Sequence, residues 1–145
     1  MIAKENLKTP SPCSCTNMRR ASRALTQFYD QLLEPSGLKV TQYSLLNHLK
    51  RLGPLTMNEL SQAIRLERTT LVRNLKLLEK KNLVALNAGE NSQARIVVIT
   101  ESGQVLLAEA VPYWAQAQQA VEELLNPDEL YVLKKALQKI ESIGS

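Results

Sequence analysis

Residues 55–79 run LTMNELSQAIRLERTTLVRNLKLLE, and their punctuation decides the fold. Thr56 and Glu59 form a T-x-x-E capping box, in which the hydroxyl accepts from the amide three residues on and the acid reaches back to the cap. Leu55 and Leu60 add the hydrophobic staple of the same helix start, and the pattern predicts a short helix ending near Ile64. After only Arg65 to Glu67 a second helix begins and runs from Arg68 to about Lys81, with Leu71, Leu75 and Leu78 as its core stripe. Two short helices joined by so tight a turn form a helix-turn-helix.

Downstream, residues 83–86 and 95–99 are strand-like, the second rich in β-branched residues, and the polar stretch 87–94 with Gly89 separates them as a two-stranded wing. Upstream, Thr41 is placed to cap a helix that runs to about Arg51 and stops at Gly53 and Pro54, with Val40 and Leu45 as its staple. Before it, Met18, Ala21, Leu25, Phe28 and Leu32 step by three and four along an amphipathic helix over residues 16–34, which Pro35, Ser36 and Gly37 break. On the C-terminal side Thr100 caps a helix to about Leu125, with Leu107, Ala110, Trp114, Ala117, Val121 and Leu124 on one face. Pro112 lies within it and predicts a kink there, or two helices in place of one. Asn126, Pro127 and Glu129 launch a last helix whose Leu130, Leu133, Leu137 and Ile140 are expected to face inward.

The length of 145 residues suits one domain with its own core, and 44% hydrophobic with 22% charged residues is ordinary globular composition. No apolar stretch approaches the length of a membrane span, and the first twelve residues lack a signal-peptide core, so a cytoplasmic protein with no membrane partner is expected. Enzyme chemistry finds no support: there is one histidine, no H-E-x-x-H, no phosphate-binding G-x-x-x-x-G-K-S/T and no G-x-S-x-G. No catalytic residue, cofactor or metal is therefore assigned. Cys13, Cys15 and His48 amount to at most three zinc ligands, fewer than a closed structural site requires.

The net charge of +4 is unevenly spread. Residues 1–54 carry eight Lys or Arg against three acids and 55–95 seven against four, whereas 96–145 carry three against seven. The bias suits a polyanionic partner without proving one. The outer side of residues 68–80 adds chemistry to that charge. At about 100° per residue, Thr69, Arg73, Lys76 and Lys80 lie opposite the leucine stripe, flanked by Thr70 and Asn74. Lys and Arg neutralise phosphates, while Arg forks onto guanine and Asn onto adenine in the major groove. A solvated helix face has the same composition; position after a tight turn and before a wing favours a DNA-reading surface.

Residues 55–61 and 67–79, with the junction Ile99-Thr100-Glu101-Ser102-Gly103, resemble the winged-helix core and the L-T-x-x-G junction of MarR-family transcriptional regulators. The resemblance covers nearly the whole chain from about Thr16. It implies a mainly α fold with a small β-wing, a winged helix-turn-helix flanked by N- and C-terminal dimerisation helices. The divisions expected are a flexible segment 1–15, a dimerisation helix 16–40, a DNA-binding region 41–99 and C-terminal dimerisation helices 100–145. A homodimer on double-stranded operator DNA is implied, acting as a repressor, with Thr69, Thr70, Arg73, Asn74, Lys76 and Arg95 as the DNA-binding residues. The other class of reading is a winged-helix module that joins proteins without specific DNA binding.

Two positions depart from the family pattern. The wing tip holds Asn91-Ser92-Gln93 where the family commonly has Asp-x-Arg, which removes a cation suited to a narrow minor groove. Arg95 is placed to compensate, although a strand residue can equally be structural. Glu67 replaces the favoured Asp before the second helix and is the poorer cap. The family resemblance also implies a small aromatic or phenolic effector, for which Met18, Arg19, Tyr43, His48, Tyr113 and Trp114 are candidates; their spacing fits core or dimer packing as well. Cys13 and Cys15 precede the first helix, where amide donors and the nearby Arg19 and Arg20 favour a thiolate, and are the redox candidates for an oxidant signal; thiols at a terminus without any specific role are the alternative.

Overall fold

The computed structural model describes residues 8–88 and 95–144. Helix α1 (Ser14–Leu33) passes into a 3-10 turn over Glu34–Ser36 that ends on Gly37, whose φ of 78° is open to a residue without Cβ. Helix α2 (Val40–Leu52) starts two residues earlier than the Thr41 cap predicts, and Lys39 is its cap residue. The reason is non-local: the Val40 amide donates to the Asp30 carboxylate of α1 at 2.8 Å, and the Lys39 amide to Gln42 Oε1 at 3.0 Å. Thr41 is thereby left inside the helix.

Helix α3 (Met57–Ile64) begins at the predicted cap, with Thr56 Oγ1 accepting from the Glu59 amide at 3.1 Å. Helix α4 (Arg68–Lys80) follows after three residues. Its cap residue, Glu67, makes no side-chain capping bond, in keeping with glutamate's poor fit to that position. Strands β2 (Val84–Ala88) and β3 (Arg95–Ile99) pair antiparallel from Val84 opposite Ile99 to Ala88 opposite Arg95. A two-residue strand β1 (Leu55–Thr56), not anticipated from the sequence, joins the other edge of β3, with Leu55 opposite Val97, so the sheet order is β1-β3-β2. The wing tip, with Asn91, Ser92 and Gln93, lies outside the described residues.

Helix α5 (Glu101–Leu124) is a single helix running through Pro112, so of the two alternatives the break into two helices does not occur. Pro112 and Ala108, whose carbonyl loses its bond to the proline, are both exposed, and water can take that carbonyl while Ala110 and Ala117 stay buried on the other side. Its start is locked onto the preceding structure. The Thr100 amide donates to the Leu83 carbonyl at 3.1 Å, and the Thr100 hydroxyl donates to the Asn82 carbonyl at 2.6 Å while accepting from the Gly103 amide at 3.0 Å. Gly103 packs so close beneath the Leu83 carbonyl that any Cβ would collide with it and with the Ile99 side chain. Close approach, not turn conformation, is why this position is glycine.

Helix α6 (Pro127–Glu141) has the full capping box expected, Asn126 Oδ1 to the Glu129 amide at 2.8 Å and Glu129 Oε1 from the Asn126 amide at 3.2 Å. Its side chains do not face inward as predicted. None is buried, and Leu133, Leu137 and Ile140 remain 39%, 41% and 43% exposed. The stripe is there, but in one chain α6 has nothing broad to lie against. The core sits instead between α2, α3, α4, the sheet and the first half of α5, where Leu45, Leu46, Leu49, Leu60, Leu71, Leu75, Leu78, Val97 and Leu107 are essentially inaccessible. Among the described residues no helix is long and apolar enough to cross a membrane.

Candidate nucleic-acid interface

The α3–α4 turn owes its tightness to Arg65, which adopts the left-handed conformation at φ 57° and donates its amide to the Ser61 carbonyl. The Leu66 amide reaches the same carbonyl at 3.2 Å, and the Ser61 hydroxyl donates back to the Leu66 carbonyl at 2.6 Å. Leu60 on α3 and Leu71, Leu75 and Leu78 on α4 then key both helices into the core, which fixes the rotation of α4 about its axis. Thr69, Arg73, Lys76 and Lys80 consequently stand exposed along its outer side, with Thr70 and Asn74 half-buried at the flanks.

Five of the six predicted contact residues are thus brought together on one helix, and Arg95 stands exposed at the first position of β3, where the wing begins. The described residues hold a single ion pair, Arg65 to Glu141 at 3.2 Å, so Arg73, Lys76, Lys80 and Arg95 have no acidic partner among them. An array of exposed, unneutralised cations interspersed with hydroxyl and amide groups is chemically equipped to meet phosphates and base edges. Two residues of this surface escaped the sequence reading. Arg68 Nη1 donates to Asn58 Oδ1 on α3 at 3.2 Å, a contact between positions ten apart that helical periodicity cannot signal. Leu77, outside the Leu71, Leu75 and Leu78 stripe, is 51% exposed because it falls about 100° away from Leu78 around the helix.

Of the effector candidates, Tyr43 and Trp114 are brought into contact. Tyr43 is buried and stacks on Trp114, ring centroids 5.7 Å apart and 12° from parallel, and burial pushes its phenol above the usual tyrosine range. Tyr113 is half-buried and packs against the core, and His48, also half-buried, places Nδ1 2.7 Å from the Ser44 carbonyl of its own helix. Met18 is half-buried and Arg19 exposed on α1. Farther along, the Tyr29 hydroxyl donates to Gln118 Oε1 at 2.7 Å, which ties α1 to α5. Cys13 and Cys15 are exposed free thiols, Cys13 at the cap position of α1. Hydrogen bonding from the Thr16 side chain, then from its backbone, draws the Cys13 thiol below its ordinary range; the backbone share is the expected amide contribution, and Arg19 and Arg20 are not among the causes. Among the described residues no group of acids, histidines and cysteines is placed to hold a metal.

Known proteins share this arrangement. The profile of the MarR family matches residues 36–95, which run from just before α2 to the first residue of β3. The M. tuberculosis transcriptional regulator MosR, crystallised in complex with DNA, superposes with a TM-score of 0.81 at 36% identity, over 90% of this chain and 98% of that one. The S. aureus MepR–DNA complex gives a TM-score of 0.80 over 93% of this chain and 100% of that one, with 23% identity, a likeness of fold. A Bacillus subtilis (strain 168) protein, the uncharacterized HTH-type transcriptional regulator YwoH, is 30% identical over 87 residues, and the match takes in 60% of this chain and 64% of that relative's length.

Proposed function

Because the chain belongs to the MarR family, we propose that it is a transcriptional regulator that binds double-stranded DNA in a sequence-specific manner, as a homodimer on a pseudo-palindromic operator, and represses by occluding a promoter. The observation that carries this reading is the outer side of α4, where Thr69, Arg73 and Lys76 are exposed and the cations lack acidic partners among the described residues. MosR, at 36% identity over nearly its whole length, was crystallised on DNA, which supports the same partner here. Arg73 and Asn74 take the base edges; Lys76, Thr69, Thr70 and Arg95 hold phosphates or the minor groove.

The dimer is supported by α6, which is fully capped yet buries none of its apolar stripe within one chain. A second copy, related by a two-fold axis, would cover that stripe and present two copies of α4 to half-sites about one DNA turn, roughly 34 Å, apart. Release follows when a signal re-angles the two winged heads so that both copies of α4 no longer fit successive grooves. A small aromatic or phenolic effector near Arg19, Tyr43, His48, Tyr113 and Trp114 is one such signal. Oxidation at Cys13 and Cys15 is the other, and a double Cys13→Ser, Cys15→Ser variant that responds to peroxide as wild type does eliminates it.

The decisive experiment is gel retardation on the gene's own upstream region across a salt series. A DNA-binding dimer loses affinity steeply as salt rises, because each neutralised phosphate releases a counterion. Absence of that dependence would leave a winged-helix module that joins proteins.

A further inference from the structure

We infer that Arg68, the first residue of α4, is an additional contact to the DNA phosphate backbone and that Asn58, on the neighbouring helix α3, is the positioning residue that aims it. The inference rests on α4 being the helix that enters DNA, and it concerns a pair of residues that neither periodicity nor the wheel of α4 singles out.

Three observations carry it. Both side chains are exposed, and Arg68 Nη1 donates to Asn58 Oδ1 at 3.2 Å, so the guanidinium is tethered across the gap between the first turns of α3 and α4. The tether is neutral. An Asp or Glu at position 58 would cancel the cation, whereas an amide oxygen occupies one of five N–H donors and leaves the charge and the rest of the fork open. Among the described residues Arg68 has no acidic partner. Finally, α4 opens Arg68-Thr69-Thr70 with no acid inside its first turn, as α1 and α2 also lack one while α3, α5 and α6 have one; Glu67 stands outside the helix, at its cap. A cation held there by a neutral neighbour has one hydrogen bond and no ion pair within the described residues, and gains an anionic partner when a phosphate arrives beside Thr69.

A guanidinium held in place loses less side-chain freedom on meeting phosphate than one that swings in water. Asn58 therefore acts through Arg68, with no DNA contact of its own required. That separates it from a residue whose loss merely loosens α3.

The full-length protein is titrated with a duplex of its own upstream region and with a random-sequence duplex of equal length, across a salt series, for wild type, Arg68→Gln, Asn58→Ala, Asn58→Asp, the double variant Arg68→Gln with Asn58→Ala, and Lys76→Ala. Arg68→Gln is expected to bind both duplexes at least about tenfold more weakly and to lower the salt slope by about one unit per protomer. Asn58→Ala should weaken binding less and keep the wild-type slope, because the charge survives. Asn58→Asp should weaken it more, by drawing Arg68 into an ion pair. In the Arg68→Gln background Asn58→Ala should add nothing. Wild-type affinity and slope for Arg68→Gln would overturn the inference, as would a relaxed preference at one base, which marks an edge contact, or an undiminished Asn58→Ala effect in the double variant. If Lys76→Ala lowers the slope and Arg68→Gln does not, Arg68 is excluded while α4 still enters DNA; if wild type shows no salt slope, both readings fall together. Both positions are exposed, and superimposable thermal melts show that every variant is folded.

Discussion

The winged head and the terminal helices are made of equally regular secondary structure, yet they differ in what they bury. In the head, α2 hides Leu45, Leu46 and Leu49 and α4 hides Leu71, Leu75 and Leu78, so that every helix has its apolar side against another element of the same chain. Helix α1, of 20 residues, buries only Leu33, and α6, of 15, buries nothing. Their stripes have the same three-four spacing as those of the head. Periodicity thus marks a face without stating what covers it: the head covers its own faces, whereas α1 and α6 leave theirs largely open within the chain.

The contrast can be broken most directly at α6. Replacing Leu133 and Leu137 together by Asp places charges on a stripe that, in the proposed dimer, is sealed from water, and should raise the dimer dissociation constant on the order of a thousandfold. Sedimentation would report a lone subunit whose head keeps its helical signal and tertiary Trp114 fluorescence; a dimer that persists, or a head that unfolds, removes the distinction. Within the head, Gly103→Ala should cost about 3 kcal/mol of stability, because the new methyl meets the Leu83 carbonyl, a backbone group that cannot swing aside. Chemical denaturation measures this, and a wild-type midpoint would show the joint to be looser than its geometry. The smallest change sharpens the contrast from the outside. Arg73→Ala should leave fold and assembly untouched and relax preference at one base by roughly 1 to 3 kcal/mol in a randomised-operator selection.

What the sequence announces is local. The caps at Thr56, Thr100 and Asn126 lie where their hydroxyl or amide side chains place them, each accepting from the amide three residues on, because donor and acceptor sit in one turn. The start of α2 was missed since its amides are satisfied partly by Asp30, ten residues back. Strand β1 was missed for the same kind of reason: two residues carry no periodicity, and only their pairing with Val97 and Ile96 makes them a strand. Pro112 does not end its helix, because the lost hydrogen bond falls on a side open to water. For the interface, the rotation of α4 was legible from three leucines, and with it the exposure of Thr69, Arg73 and Lys76. Asn58 and Arg68 were not, because a bond between two helices depends on their crossing and not on either stripe.

The locked junction at Thr100 and Gly103 has a mechanical consequence. With the strand end and the first turn of α5 clamped together, the head has no wrist; it must travel with the 24-residue helix it is fixed to. Such a rod is roughly 36 Å long at about 1.5 Å per residue. Tilting it by about 10° at its distant end would carry the head some ~6 Å sideways, around half the width of a major groove. A lever of that length turns a slight tilt among the terminal helices into a large displacement of α4.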